Sequence, residues 1–112
     1  MNRFFEKLSS TERAALAELK EILAGQFDVQ DIRLFGSRAR GMGSPESDLD
    51  LFIVLSRVDW EIEKAIYTLC FELSVKYNLL LAPVLYSRAE IEDSRIQATP
   101  FYRVIQREGL PL

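Results

Sequence analysis

The sequence contains no histidine and a single cysteine, Cys70. Without imidazole there is no histidine general base, no histidine metal ligand and no Ser-His-Asp triad. One thiol allows neither an internal disulfide nor a thiolate zinc cluster. No apolar run reaches the ~18 residues of a membrane-crossing helix, and the opening MNRFFEKLSS lacks the apolar stretch of a signal peptide. Positive charge is in deficit: 14 Lys and Arg stand against 17 Asp and Glu, a net charge of −3. Strong nucleic-acid binding is therefore not expected. There is no repeat, low-complexity tract or Gly/Ser linker. These absences point to a soluble cytoplasmic protein in which oxygen would be the main metal ligand.

What remains is ordinary globular material: 112 residues, 48% hydrophobic and 28% charged. That is one domain, residues 1–112. Ser9-Ser10-Thr11-Glu12 reads as a capping box opening a helix over 10–25, with Leu16, Leu19, Ile22 and Leu23 on one face. A short strand over 31–35 ends at Gly36, and a turn-rich stretch runs from Gly36 to Ser47. Residues 48–55 read as a central strand. Asp59 caps a helix through Tyr77, with Ile62, Ala65, Ile66, Leu69 and Leu73 inward. Residues 79–86 form an edge or bulged strand, because Pro83 donates no ladder bond. Ser87-Arg88-Ala89-Glu90 opens a short helix. Thr99-Pro100 opens the last one, which Gly109 and Pro111 end. The order α-β-β-α-β-α-α predicts an α/β (α+β) fold with a small mixed sheet of three to four strands and helices packed on one face. Cys70 and Trp60 read as packing residues, and Phe101 as core.

The chemistry concentrates in Gly36-Ser37-Arg38-Ala39-Arg40-Gly41 and Ser47-Asp48-Leu49-Asp50-Leu51. Residues i and i+2 of a strand share a face, so Asp48 and Asp50 project together while Leu49, Leu51, Ile53 and Leu55 enter the core. Two adjacent carboxylates repel unless a cation sits between them. They form a hard all-oxygen site suited to Mg²⁺ or Mn²⁺, completed by waters and phosphates. The Gly-Ser turn offers backbone amides as an anion nest, the Ser37 hydroxyl adds a donor, and Arg38 and Arg40 add positive charge. A phosphate cradle beside a divalent-cation site suits a metal-bound nucleoside triphosphate.

This two-part pattern resembles the minimal nucleotidyltransferase family of the DNA polymerase β-like nucleotidyltransferase superfamily, whose signature is G-S-x-A-x-G followed by S-D-x-D-L. The resemblance implies that Gly36 and Ser37 hold the triphosphate, with Arg38, Arg40 and Ser47 beside them. It implies that Asp48 and Asp50 hold one or two Mg²⁺ and are catalytic. The implied reaction transfers a nucleoside monophosphate, AMP from ATP, to a protein or RNA acceptor. The implied partner is a small helical HEPN-type toxin, with this chain as its antitoxin-like counterpart. A domain this small borrows acceptor selectivity from that partner or from a dimer, or lacks it. The superfamily also carries a third carboxylate on the next strand, which would fall near Pro83. That strand contains no acid; the nearest are Glu90, Glu92, Asp93 and the more remote Glu72. An alternative therefore stands beside the enzyme: a catalytically weakened nucleotide-binding or contact-only partner protein.

Overall fold

The computed structural model describes residues 7–41 and 48–112. Ser47, named above as a nucleotide-binding residue, lies outside them. Helix α1 spans Ser10–Gln26, one residue longer than its sequence pattern suggests. Its capping box forms: the Ser9 hydroxyl accepts from the Glu12 N–H at 3.0 Å, and Glu12 Oε1 accepts from the Ser9 N–H at 2.8 Å. Strand β1 covers Val29–Phe35, and β2 covers Leu49–Leu55, leaving Asp48 just outside the strand.

Helix α2 spans Trp60–Tyr77 under an Asp59 cap, whose Oδ1 accepts from the Ile62 N–H at 2.8 Å. Its buried face is Ile66, Cys70, Leu73 and Ser74. Ala65, expected inward, is exposed. It lies one residue from Ile66 and so about 100° around the helix. The polar Ser74 is tolerated because it is fully used: its hydroxyl donates to the Cys70 carbonyl at 2.6 Å and accepts from the Leu81 N–H at 3.0 Å. That pair of bonds joins α2 to the next strand. Burial pushes the Cys70 thiol up to about 12, as befits an unreactive packing residue.

Strand β3 covers Leu81–Ser87. Two short helices follow, α3 (Arg88–Glu92) and α4 (Ser94–Gln97), where the sequence suggests one. Asp93 both ends α3 and caps α4. Helix α5 runs Pro100–Glu108 from the expected Thr99 cap, and β4 (Leu110–Pro111) is an unforeseen strand.

The sheet order is β3-β2-β1-β4. Strand β2 pairs antiparallel with β1 and parallel with β3, so the sheet is mixed and four-stranded. Pro83 sits in the outer strand, where its missing N–H does least harm. Alternation on β2 builds two cores. Leu49, Leu51, Ile53 and Leu55 pack under α1 and α2, as expected. Phe52 and Val54 point the other way and are covered by Ile91, Phe101 and Ile105. The two long helices thus share one face, and α3 and α5 add cover on the other. Trp60, read as packing, is 70% exposed.

One polar pair lies inside this framework. Arg38, in the turn after β1, donates from Nη2 to Glu12 Oε1 at 2.6 Å and from Nε to Oε2 at 3.2 Å. Both side chains are more than nine-tenths buried. A two-point charged contact of this kind fixes orientation as well as distance. Glu12→Ala removes the side-chain half of the capping box and the carboxylate that accepts two bonds from the buried Arg38 guanidinium. The expected loss is about 3–5 kcal/mol in urea denaturation, with Glu12→Gln losing less.

Candidate active site

The site grows from the top of β1. Residues 36–41 form one tight turn, in which the Arg40 N–H donates to the Gly36 carbonyl at 3.3 Å and the Gly41 N–H to the Arg38 carbonyl at 3.2 Å. The leading N–H groups of a helical turn point back toward its start, which here is Gly36 and Ser37. Gly36 has φ +78°, a conformation that costs other residues roughly 1–2 kcal/mol. Space imposes a second demand. A Cβ on Gly36 would collide with Asp50 Oδ2. The glycine is thus required by the carboxylate as well as by the turn.

Asp50 stands on the central strand, level with Phe35 on β1 and Ala82 on β3. It is half-buried, and Asp48 beside it is exposed. Burial, and then the neighbouring charge of Asp48, raise the Asp50 carboxyl above its ordinary value. The two acids therefore sense one another, as the strand spacing predicts. A divalent cation fits this donor set: two carboxylate-bearing residues at a strand end, with anion-binding backbone adjacent.

The structure sorts the other site residues. Gly36, Ser37, Asp48 and Asp50 converge at one end of the sheet. Arg38 is turned inward onto Glu12, so its charge braces the turn from behind. Arg40 lies near Glu108 of α5 at 3.4 Å, with its side chain 44% exposed. Ser47 is outside the described residues. The sequence offered no signal for the Glu12–Arg38 pairing, because 26 residues separate the partners.

The register also relocates the missing third acid. Pro83 is level with Leu51 and therefore shares the α1/α2 face. The β3 position beside Asp50 is Ala82. Glu90 is engaged at its own helix start, Glu92 pairs with Arg88, and Asp93 pairs with Arg95. These acids follow Ser87, five residues beyond Ala82 and so about 16 Å along the sheet. Glu72 is exposed on α2, across the sheet. Among the described residues, no group of three or more His, Cys, Asp or Glu could hold a metal.

The nucleotidyltransferase domain family matches residues 16–105, which spans both the Gly36 turn and the Asp48–Asp50 pair. The chain belongs to this nucleotidyltransferase family. Two proteins of Methanocaldococcus jannaschii, named provisionally as protein adenylyltransferases, are similar over most of its length. MJ0141 is 33% identical over 78% of the chain and 86% of its own length. MJ0604 is 32% identical over 88% of the chain and 94% of its own length. A structure named provisionally as a minimal nucleotidyltransferase superposes with a TM-score of 0.57 at 26% identity, over 89% of this chain and 91% of that one. A mutant toxin–antitoxin MntA–HpeT structure shares the fold, with a TM-score of 0.60 at 20% identity, over 87% of this chain and 70% of that one. The family is one of transferases, and the chain is an enzyme of that class. Among the described residues, no helix is long and apolar enough to cross a membrane.

Two outcomes follow from this geometry. A carboxyl whose folded-state value is raised favours the fold when protonated. That stabilisation is complete below the ordinary carboxylate range, ~3.9, and is lost as pH rises through the raised value. Asp50→Asn should therefore raise the melting temperature of the metal-free chain at pH 7; the gain should shrink as the pH falls through the raised value and be gone below about 4. Gly36→Ala should lower stability by at least roughly 1–2 kcal/mol in urea denaturation, from backbone strain alone. It should also weaken Mg²⁺-ATP binding measured by calorimetry, because its methyl group displaces the Asp50 carboxylate.

Proposed function

We propose that this chain transfers AMP from ATP to a hydroxyl of a protein acceptor, in the presence of Mg²⁺ or Mn²⁺. The observation that carries this reading is the contact of the Asp50 carboxylate with Gly36, which seats the acidic pair against the phosphate turn. Gly36 and Ser37 hold the triphosphate through backbone amides and the Ser37 hydroxyl. Arg40 is the basic residue of the turn whose side chain is solvent-accessible, and Ser47 completes the nucleotide set. Asp48 and Asp50 hold the cation, which supplies neutralisation of charge on the α-phosphate. In-line attack of the acceptor hydroxyl on the α-phosphorus would break the α–β phosphoanhydride bond, release pyrophosphate and give up the hydroxyl proton.

A protein acceptor is favoured over RNA on two grounds. The chain carries a net charge of −3. Two relatives that it matches over most of its length are named for protein adenylylation. The acceptor and partner we favour is a small helical HEPN-type toxin, a reading supported by a fold neighbour solved as part of a toxin–antitoxin system. The setting for this is the cytoplasm.

Ala82 favours a second reading. With no acid beside Asp50 on β3, the acceptor proton has no carboxylate to receive it there. A missing general base costs about 10²–10⁴-fold. The chain would then act as a slow enzyme, or by binding nucleotide and touching its partner. The test uses ATP labelled at the α-phosphate, the candidate toxin, and Mg²⁺ or EDTA. Label on the toxin that disappears with EDTA and with Asp48→Asn supports transfer. Stable co-purification of toxin with Asp48→Asn, together with unlabelled toxin in the wild-type reaction, supports the contact-only reading.

A further inference from the structure

The outer face of α2 carries an apolar stripe that the fold leaves uncovered. Trp60 is 70% exposed, Phe71 68%, Val75 67% and Tyr67 45%, and Leu80 just beyond the helix is 51% exposed. Isolated surface apolar residues need no explanation, but a contiguous helical row of large ones does. Residues 60, 64, 67, 71 and 75 follow the three- and four-residue spacing of one helix face. Lys64 is the single charged member. Together the five apolar side chains expose roughly 600 Å². A standard stable interface takes about 800 Å² from each partner, which this stripe and its immediate flanks can supply.

The stripe is close to its own reverse. Its outer members, 60, 64, 71 and 75, are symmetric about a point next to Tyr67. An antiparallel packing of two copies about a twofold axis there sets Trp60 against the second copy's Val75. It sets Lys64 over the second copy's Phe71 ring, a cation–π contact, and brings the two Tyr67 rings together. The two Lys64 ammonium groups then stand seven residues apart in register, about 10 Å along the axis. A parallel pairing would instead stack Lys64 on Lys64 and Glu61 on Glu61. Aromatic content, charge placement and area all favour the antiparallel arrangement.

We infer that the Trp60–Val75 face of α2 is a homodimer interface, formed by two copies of this chain with their α2 helices antiparallel. The inference is independent of the transferase reading. Helix α2 covers the Leu49–Leu55 face of the sheet, whereas Asp50 alternates onto the opposite face with Phe52. Dimerisation through α2 therefore leaves both candidate sites facing outward.

The test is sedimentation of the full chain, read with site-specific crosslinking. The wild type should sediment at twice its 12.9 kDa chain mass. Phe71→Glu should shift it to a folded monomer with an unchanged circular dichroism spectrum, losing only the concentration-dependent part of the melting temperature that association supplies, since that side chain is mostly exposed in the single chain. Tyr67→Cys, next to the twofold axis, should form a disulfide-linked dimer under mild oxidation. Trp60→Cys should not, and the buried Cys70 does not compete. A wild type that stays monomeric across the accessible concentration range overturns the inference and leaves the stripe to a different protein. Crosslinking of Trp60→Cys as readily as Tyr67→Cys overturns the antiparallel arrangement. Should Phe71→Glu fail to fold, the comparison of the two cysteine variants still decides.

Discussion

The buried pair of Glu12 and Arg38 is the contact on which the functional end of this molecule depends. Glu12 does three jobs with one carboxylate. It accepts the Ser9 N–H to start α1, and it accepts two bonds from the Arg38 guanidinium. The start of the first helix and the turn after the first strand are thereby tied at one point. Burying two charges is favourable only when the geometry is good and the remaining hydrogen-bonding capacity is used. A turn with two positive-φ glycines would otherwise have much freedom. Arg38 lends its charge to holding the shape of the turn, which leaves Ser37 and the backbone to meet a ligand.

The second constraint is the shared space of Gly36 and Asp50. The turn of one strand and the acid of the next occupy adjoining volumes, so neither half of the motif is built alone. The central strand then serves two masters. Its odd residues fill the core under α1 and α2, while its even residues run from Asp50 into the aromatic cluster of Phe35, Phe52, Tyr86 and Phe101. Phe35, level with Asp50, packs edge-on against Phe101 with ring centroids 5.4 Å apart. The end of the sheet that carries Asp50 is thus backed by α5, whose Glu108 also reaches Arg40 of the turn.

Much of this was legible in the chain. Caps at Ser9, Asp59, Ser87 and Thr99 are local, depending on side chains reaching residues two or three positions away, and all four form. Strand alternation likewise separated Asp50 from Leu49 and Leu51. What escaped notice depends on tertiary register. Two residues after Gly109 pair with β1 as β4, a contact too short for any periodicity to announce. The position facing Asp50 on β3 is Ala82 and not Pro83, a difference of one residue that flips the face. The inward turn of Arg38 needed a partner distant in sequence. Trp60 reads as packing because a helical apolar stripe looks alike whether it is buried or not.

Pro83 has a further consequence for association. Strand β3 is the outermost long strand of the sheet, and such an edge invites pairing with a second chain through its open backbone groups. The ladder to β2 runs through Pro83 without a break in register, consistent with a nitrogen that faces outward. At that point the edge has no hydrogen to offer an incoming strand. The sheet is thus guarded against growing sideways into larger aggregates. Association of this chain is left to side-chain surfaces, where shape and charge can choose the neighbour.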